Sequence, residues 1–385
     1  MPKQPFDSLD PGLYALPEDF QRRFLTPALV IDLDRVRANL AWMKASMGGD
    51  LGRWRPHVKT TKIPAIFAEI AAAGVRHFKA ATTRETSELL ASLRAQRVES
   101  PDVCLAYPLR GAALTRLGQL ATAYPQARIS VLVEDEQALA QVPEQVGVFI
   151  DVNPGMNRTG IPSDDRDRMA RLAEVSGQRL RGLHFYDGHL HSGTEAQRRR
   201  RAWVGYDLLL ELLAHLGLAD RSLEIITSGT PTFLHALAYP GFDGLGSTQH
   251  RISPGTVVYH DLRSHEENPG LDLTPAALVV AQIISHPTGK LATCDAGSKS
   301  IAAEAGDPCA AVLGRPEWVP QTPSEEHLPL RIEHGALPAR GTLVQLIPRH
   351  VCPTVNLAEE AVLIEAGQVR EVVPVSARAH ELRAH

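Results

Sequence analysis

At 385 residues, with 44% hydrophobic and 22% charged residues, the chain has soluble globular composition and is long enough for two domains. Its net charge of −4 offers no broad basic face, which argues against nucleic acid as a partner. The start Met-Pro-Lys-Gln-Pro lacks the apolar core of a signal peptide, and no apolar run approaches a membrane span. Cys104, Cys294, Cys309 and Cys352 are scattered, with no Cys-x-x-Cys pair, so a reducing cytoplasm is the expected compartment.

In chain order, residues 1–26 are irregular and polar and are expected to pack on another part of the molecule. Ala28 to Leu33 reads as a strand, and Asp34 as the cap of a helix to about Lys44, with Val36, Leu40 and Met43 on one face. Leu51 to Trp54 leads into a short strand whose C-terminal end carries Lys59, and Pro64 opens the next helix. Strands are then expected at 77–81, 103–106, 128–133, 146–152, 180–186, 223–227 and 251–253. Helices at 63–73, 83–95 (capped by Thr83), 111–123, 136–141, 164–176, 195–216 and after Pro231 separate most of them. Arg198 to Arg201 falls in a helical pattern and reads as a solvated face.

Counting the strand before Lys59, eight strands alternate with helices over the length a closed (β/α)8 TIM-type barrel needs. The rival, an open doubly wound sheet, lacks its Gly-x-Gly-x-x-Gly turn after the first strand. His265-Glu-Glu-Asn-Pro-Gly270 has linker composition, and beyond it strands at 277–285, 291–294, 328–333, 342–347, 361–365 and 369–375 follow without long helices. The expected division is therefore an α/β chain: a segment 1–26 against the β domain, a barrel over 27–265, and an all-β C-terminal domain over 266–385.

Five stretches carry chemistry. In Arg55-Pro-His-Val-Lys59, a lysine at a barrel-strand end sits where active sites are built, and a desolvated amine there can attack a carbonyl and hold it as a Schiff base. Taken alone, Lys59 would be a solvated loop residue. Asp151 to Gly160 is a glycine-rich loop presenting Arg158, suited to a phenolate or phosphate oxygen, or else a surface arginine. Tyr186-Asp-Gly-His-Leu-His191 offers His189 and His191 as proton carriers or as metal ligands. Ser228-Gly229-Thr230 and Pro254-Gly255-Thr256 follow consecutive strands, and together their backbone N–H groups and hydroxyls make a phosphate cup. His350-Val-Cys352, if the preceding strand runs on, places an imidazole and a thiolate on one side, a pair suited to zinc with positions left for water or substrate. The alternative is a buried cysteine beside a hydrogen-bonded histidine.

In order, Arg55-Pro-His-Val-Lys59, Gly155-Met-Asn-Arg158, Tyr186-x-Gly188, Ser228-Gly-Thr230, Pro254-Gly-Thr256, Ser324-Glu-Glu-His327 and His350-Val-Cys-Pro-Thr-Val-Asn356 resemble a known family. It is the D-threonine aldolase and D-serine dehydratase family of alanine-racemase-like, fold type III pyridoxal-phosphate enzymes. The resemblance runs from about Thr26 to Arg378. It implies that Lys59 holds pyridoxal 5'-phosphate, Arg158 contacts its phenolic oxygen, Tyr186 meets the pyridine nitrogen, and the Ser228 and Gly255 loops hold the phosphate. It implies that His350 and Cys352 bind a divalent metal, zinc or manganese, near the substrate's β-hydroxyl, and that the enzyme is a homodimer with active sites near the subunit interface. Thr61 stands where many relatives carry a histidine, and His-x-Cys looks more like the dehydratases than the aldolases.

The resemblance implies a lyase acting on D-3-hydroxy amino acids, cleaving them to glycine and an aldehyde. Its dehydratase alternative, on D-serine or D-3-hydroxyaspartate, gives an oxo acid and ammonia. A two-base racemase of this fold uses a tyrosine from the β domain, and residues 271–385 contain none. A non-catalytic cofactor-binding protein of this fold generally stops after the barrel, whereas this chain continues into a β domain.

Overall fold

The chain closes a ring of parallel strands through the residues that precede Lys59. In the computed structural model, which describes residues 6, 9–218 and 221–383, one of two compact units comprises residues 44–59, 67–255 and 379–385. Its strands His77–Ala80, Asp102–Pro108, Arg128–Val133, Gly147–Asn153, Leu180–Phe185, Glu224–Thr227 and Gln249–Ile252 pair parallel in chain order. The short strand Ile161–Pro162 pairs with the fourth of these. Trp54 bridges Ile252 and His57 bridges Lys79, both in parallel sense. The Arg55 N–H donates to the Ile252 carbonyl at 2.9 Å, and the Val58 N–H to that of Lys79 at 2.8 Å. Residues 54–58 are thus the eighth stave of a closed β/α barrel.

That stave is not the regular strand expected from 51. Leu51–Arg53 is a 3₁₀ turn, because the Asp50 carboxylate accepts from the Gly52 N–H. Pro56 then has no N–H to give to a ladder. Helices Thr83–Ala95, Ala112–Ala123, Glu136–Gln141, Arg166–Ser176, Glu195–His215 and Phe233–Leu237 fill the connections. Side chains start them: Thr82 caps the Glu85 N–H, one residue earlier than expected, and Thr194 with Gln197 forms a capping box. The arginine run is not one solvated face. Arg198 is buried and donates to the Gly193 carbonyl at 3.0 Å.

The floor of the barrel is charged. The Arg55 guanidinium is wholly buried, grips Glu224 with two bonds of 2.6 Å, and donates to Asp102 Oδ1 at 2.9 Å and the Phe78 carbonyl at 3.0 Å. Arg251 adds a second cation, 2.8 Å from Glu224 and 3.0 Å from His77 Nε2. Two carboxylates and two guanidiniums balance, so each buried charge has its partner. Above them Cys104, Leu132, Phe149 and Ile226 form an apolar plug.

The second unit comprises residues 1–43, 60–66 and 256–378. Its nine-stranded sheet is built on the long strand Ala277–Thr288, which pairs antiparallel with Ala28–Asp32, Leu343–Pro348 and Leu291–Cys294. Glu360–Glu365 pairs parallel with Ala28–Asp32 and antiparallel with Gln368–Pro374. Two short strands, Ala310–Val312 and Trp318–Pro320, were not anticipated. Val279, Ala281, Ile283, Leu328, Leu330 and Leu346 lie in one apolar core. Phe6 and Tyr14 of the N-terminal segment share an apolar cluster with Leu278 and Ile347.

The boundaries differ from the expected 27 and 265. Ala28–Asp32 belongs to the nine-stranded sheet, residues 256–265 belong to the same unit, and the chain end returns to the barrel, where Arg116 donates to Glu381 at 2.9 Å. An apolar run of five residues reads the same whichever sheet takes it. Asp32, rather than Asp34, caps the next helix, accepting from the Arg35 N–H at 3.0 Å. Among the described residues, no helix is long and apolar enough to cross a membrane.

Removing the barrel-floor guanidinium takes both of its bonds from Glu224, which keeps only Arg251, and leaves Asp102 the 3.5 Å contact to Arg128. Arg55→Ala is expected to cost about 3–5 kcal/mol of unfolding free energy, read from denaturant titration. A loss below about 1 kcal/mol would contradict the role given to this network.

Candidate active site

The candidate residues fall into two groups, one in each unit. In the barrel unit, Lys59 follows the closing stave, partly buried, its N–H donating to His57 Nδ1 at 3.4 Å. Tyr186 follows the strand Leu180–Phe185. Its ring lies 5.0 Å from the Arg158 guanidinium and 5.0 Å from Lys79 Nζ, and runs parallel to the His184 ring at 6.5 Å. Arg158 is exposed on a loop that the Asn153 side chain shapes, accepting from the Gly155 and Asn157 N–H groups at 3.0 Å. The structure therefore brings the Arg158 guanidinium over the Tyr186 ring.

The Ser228 loop lies against the same ring. A Cβ at Gly229 would fall 2.9 Å from the Tyr186 hydroxyl and ring edge, so only glycine lets the backbone approach there. Ser228 sits at φ +58, and its buried Oγ has no partner among the described residues. A strained residue with an unspent hydroxyl, beside Gly229 and a buried Thr230, is a cradle waiting for an acceptor-rich group. These residues fit pyridoxal phosphate: an amine for its aldehyde, an aromatic hydroxyl and guanidinium for its ring, and a hydroxyl and amide turn for its phosphate. Gly255 is buried at the end of the barrel unit, whereas Thr256 begins the other unit.

Sequence reasoning missed what supports this group. Asp187, wholly buried, accepts from Thr232 Oγ1 at 2.5 Å and from the Tyr206 hydroxyl at 2.7 Å, so it ties the Tyr186 segment to the Ser228 loop and the long helix. Burial raises its pKa. Asp151 and His184 form a buried pair at 2.6 Å. Burial, then the Lys79 charge, pulls His184 down to about 4, so its ring is neutral and Nδ1–H donates to the carboxylate. Lys79 is itself buried, with Nζ donating to Ser253 Oγ at 3.0 Å, and burial pulls its pKa down to about 7. The available signal was position: Lys79 lies two residues beyond His77 on one strand, and alternate residues share a face.

His189 and His191 part company. His189 is partly buried, lies 4.0 Å from where a Gly155 Cβ would be, and lines a cavity of about 340 Å³ with Phe185, Leu190 and Val204. Burial, followed by the Arg201 and His191 charges, lowers its pKa. His191 is exposed.

In the other unit, His350 and Cys352 meet at a helix start rather than along a strand. The strand Leu343–Pro348 stops, His350 takes the position before the helix Val351–Leu357 without a capping bond from its side chain, and the Asp261 carboxylate receives the Val351 N–H at 2.9 Å. His350 Nδ1 is 2.5 Å from Glu304 Oε1, and the ring also hydrogen bonds Cys352. Burial works against the charged ring, but Cys352, Asp261 and Glu304 overcome it and hold the pKa at about 9. Thr60 Oγ1 and Thr256 Oγ1 stand 3.1 Å and 3.6 Å from Cys352 Sγ. An imidazole oriented by a carboxylate, beside a thiol, suits a borderline-soft divalent ion. Among the described residues no cluster of three or more His, Cys, Asp or Glu is placed to hold a metal, so water or substrate oxygens would complete the shell. Ser324-Glu-Glu-His327 is a surface turn, with Lys299 2.9 Å from Glu325 and 3.0 Å from Glu326.

The chain is similar to known proteins in sequence and fold. Residues 31–237, more than half of the chain, match the family described as alanine racemase, N-terminal domain, and residues 276–364 match the putative serine dehydratase domain. The chain is similar to the D-threonine aldolase of Arthrobacter sp, 30% identical over 94% of this chain and 95% of the relative. It is similar to the D-threo-3-hydroxyaspartate dehydratase of Delftia sp., 27% identical over 86% of this chain and 91% of the relative. The crystal structure of D-threonine aldolase from Filomicrobium marinum superposes with a TM-score of 0.79 at 29% identity, covering 92% of this chain and 95% of that one. On these matches, which span nearly the whole chain, it belongs to the D-threonine aldolase and D-3-hydroxyaspartate dehydratase family of alanine-racemase-like, pyridoxal-phosphate-dependent lyases.

Proposed function

We propose that the protein is a pyridoxal-phosphate- and divalent-metal-dependent lyase of D-3-hydroxy amino acids, acting by retro-aldol cleavage to glycine and an aldehyde. The observation that carries this reading is the Lys59–Tyr186–Arg158–Ser228 group in a chain 30% identical, end to end, to a D-threonine aldolase. When bound, the cofactor supplies an electron sink for charge at the substrate's α-carbon, and the metal a Lewis acid for its β-hydroxyl. The chain does the rest. Lys59 would hold the cofactor through its amine, and that amine, when free, would carry a proton at the substrate's α-carbon. Arg158 and Tyr186 would hold the ring by its phenolic oxygen and its nitrogen. Ser228, Gly229, Thr230, Gly255 and Thr256 would hold the phosphate, and His350 with Cys352 would hold zinc or manganese. Thr60 and Thr256, which flank Cys352, directly follow Lys59 and Gly255 in the sequence.

Of the two histidines, His189 is the better base for the hydroxyl proton. Its lowered pKa keeps the ring neutral near pH 7, and its buried Nδ1 has no partner among the described residues. Elimination to an oxo acid and ammonia is the second reading. The thiol at 352 favours it, and so does the likeness to a dehydratase. We take the working form to be a homodimer, on the family resemblance, and place it in the cytoplasm, where four free thiols are at home.

Incubation with D-threonine and D-serine, with pyridoxal phosphate and Mn²⁺ or Zn²⁺ added, decides between the readings. Glycine plus an aldehyde is expected. Ammonia plus an oxo acid would move the assignment to the dehydratases, and no reaction with either would overturn it. Cys352→Ala is expected to lose bound metal and most turnover while the cofactor stays bound, and full activity in that metal-free variant would remove the metal from the mechanism. Glu304→Gln, which unties the far side of the His350 ring, is expected to weaken metal binding by about 10–100-fold, measured by competition with a chelating dye; unchanged affinity would refute that role.

A further inference from the structure

We infer that Lys79 is a positioning residue for the cofactor, bracing the Tyr186 ring on one hand and the phosphate loop on the other; this rests on the pyridoxal-phosphate reading above. Three separate contacts place it there. Its backbone holds the stave that carries Lys59: the Lys79 N–H donates to the Pro56 carbonyl at 3.0 Å, and its carbonyl accepts from Val58 at 2.8 Å. Its Nζ lies 5.0 Å from the Tyr186 ring centroid, within reach of a cation–π contact that burial strengthens. The same Nζ donates to Ser253 Oγ at 3.0 Å, and Ser253 Oγ donates onward to the Ser228 carbonyl at 2.8 Å and that of Thr227 at 3.2 Å. One side chain therefore joins the ring site to the left-handed turn at Ser228.

A buried lysine is costly, and an apolar residue would fill a barrel interior more cheaply. The groups facing Lys79 make its charge responsive. Cys104 and Asp151 favour the ammonium; Lys59 and Arg158 oppose it; burial opposes it most and brings it to about 7. A cation so placed, near the amine that holds the cofactor, disfavours a further positive charge there.

The test uses the full chain, stripped of cofactor and retitrated with pyridoxal phosphate. Lys79→Met is expected to raise the cofactor's dissociation constant roughly tenfold or more. It is also expected to move upward the pH at which the bound cofactor's visible absorbance changes, because a neighbouring cation has gone. A purely structural lysine would lower the melting temperature and leave that titration in place. Ser253→Ala, which removes only the hydrogen-bonded link, is expected to weaken binding severalfold and serves if Lys79→Met does not fold. Binding and titration within twofold of wild type, in whichever variant folds, overturn the inference. If wild type itself binds no pyridoxal phosphate, the cofactor reading falls, and this inference with it.

Discussion

Everything in the barrel unit depends on how one awkward stave is held in the ring. Residues 54–58 contain a proline and make only isolated bridges to their neighbours, so the strand ladder alone does not fix them. The buried Arg55 does, through two bonds to Glu224 and one to Asp102. Those partners stand on two different strands, so the guanidinium sets both the height and the register of the stave. Once Arg55 is pinned, alternation puts His57 on the same side, and Lys59 follows in the turn that begins at Val58. The charged floor is thus the foundation of the amine at the top. The carboxylates are conformational devices more than stabilising ones, since a well-packed apolar floor would be no less stable.

Above that floor the barrel grades from ionic to apolar to polar. The plug of Cys104, Leu132, Phe149 and Ile226 separates the Arg55 network from the mouth. At the mouth the cations Lys79 and Arg158 gather around one tyrosine, with Asp151 engaged by His184. Two cations beside one carboxylate, Asp151, leave a net positive charge that a phosphorylated, phenolate-bearing cofactor would neutralise. The His350–Cys352 pair follows a different logic. His350 is turned by Glu304 and sits at a helix start anchored by Asp261, so its direction is set by charged partners rather than by strand alternation.

Much of this was legible in the sequence, and the failures have physical reasons. Glycine and proline punctuation marked the loops, which is why the Arg158 and Ser228 segments were found. Barrel strands with near-continuous burial, such as Arg128–Val133, were clear for the same reason. The sheet to which Ala28–Asp32 belongs was not legible, because partner choice lies in residues 277–280 and 361–364, hundreds of positions away. His350 and Cys352 were identified as a pair for the wrong local reason, since a capping interaction from Asp261 ended the strand before they were reached. Lys79, Asp151, His184 and Asp187 were passed over because a buried polar residue declares itself only through partners that the fold supplies.

The claim on which the account stands is that the Lys59 amine, and no other, carries the cofactor. Borohydride reduction of the protein incubated with pyridoxal phosphate, followed by peptide mass mapping, tests it directly. The account expects one stable adduct, on the peptide containing Lys59, and a Lys59→Ala protein that shows neither the adduct nor the visible absorbance band. An adduct on Lys79 or elsewhere in wild type, or a Lys59→Ala protein that keeps the band, would contradict it.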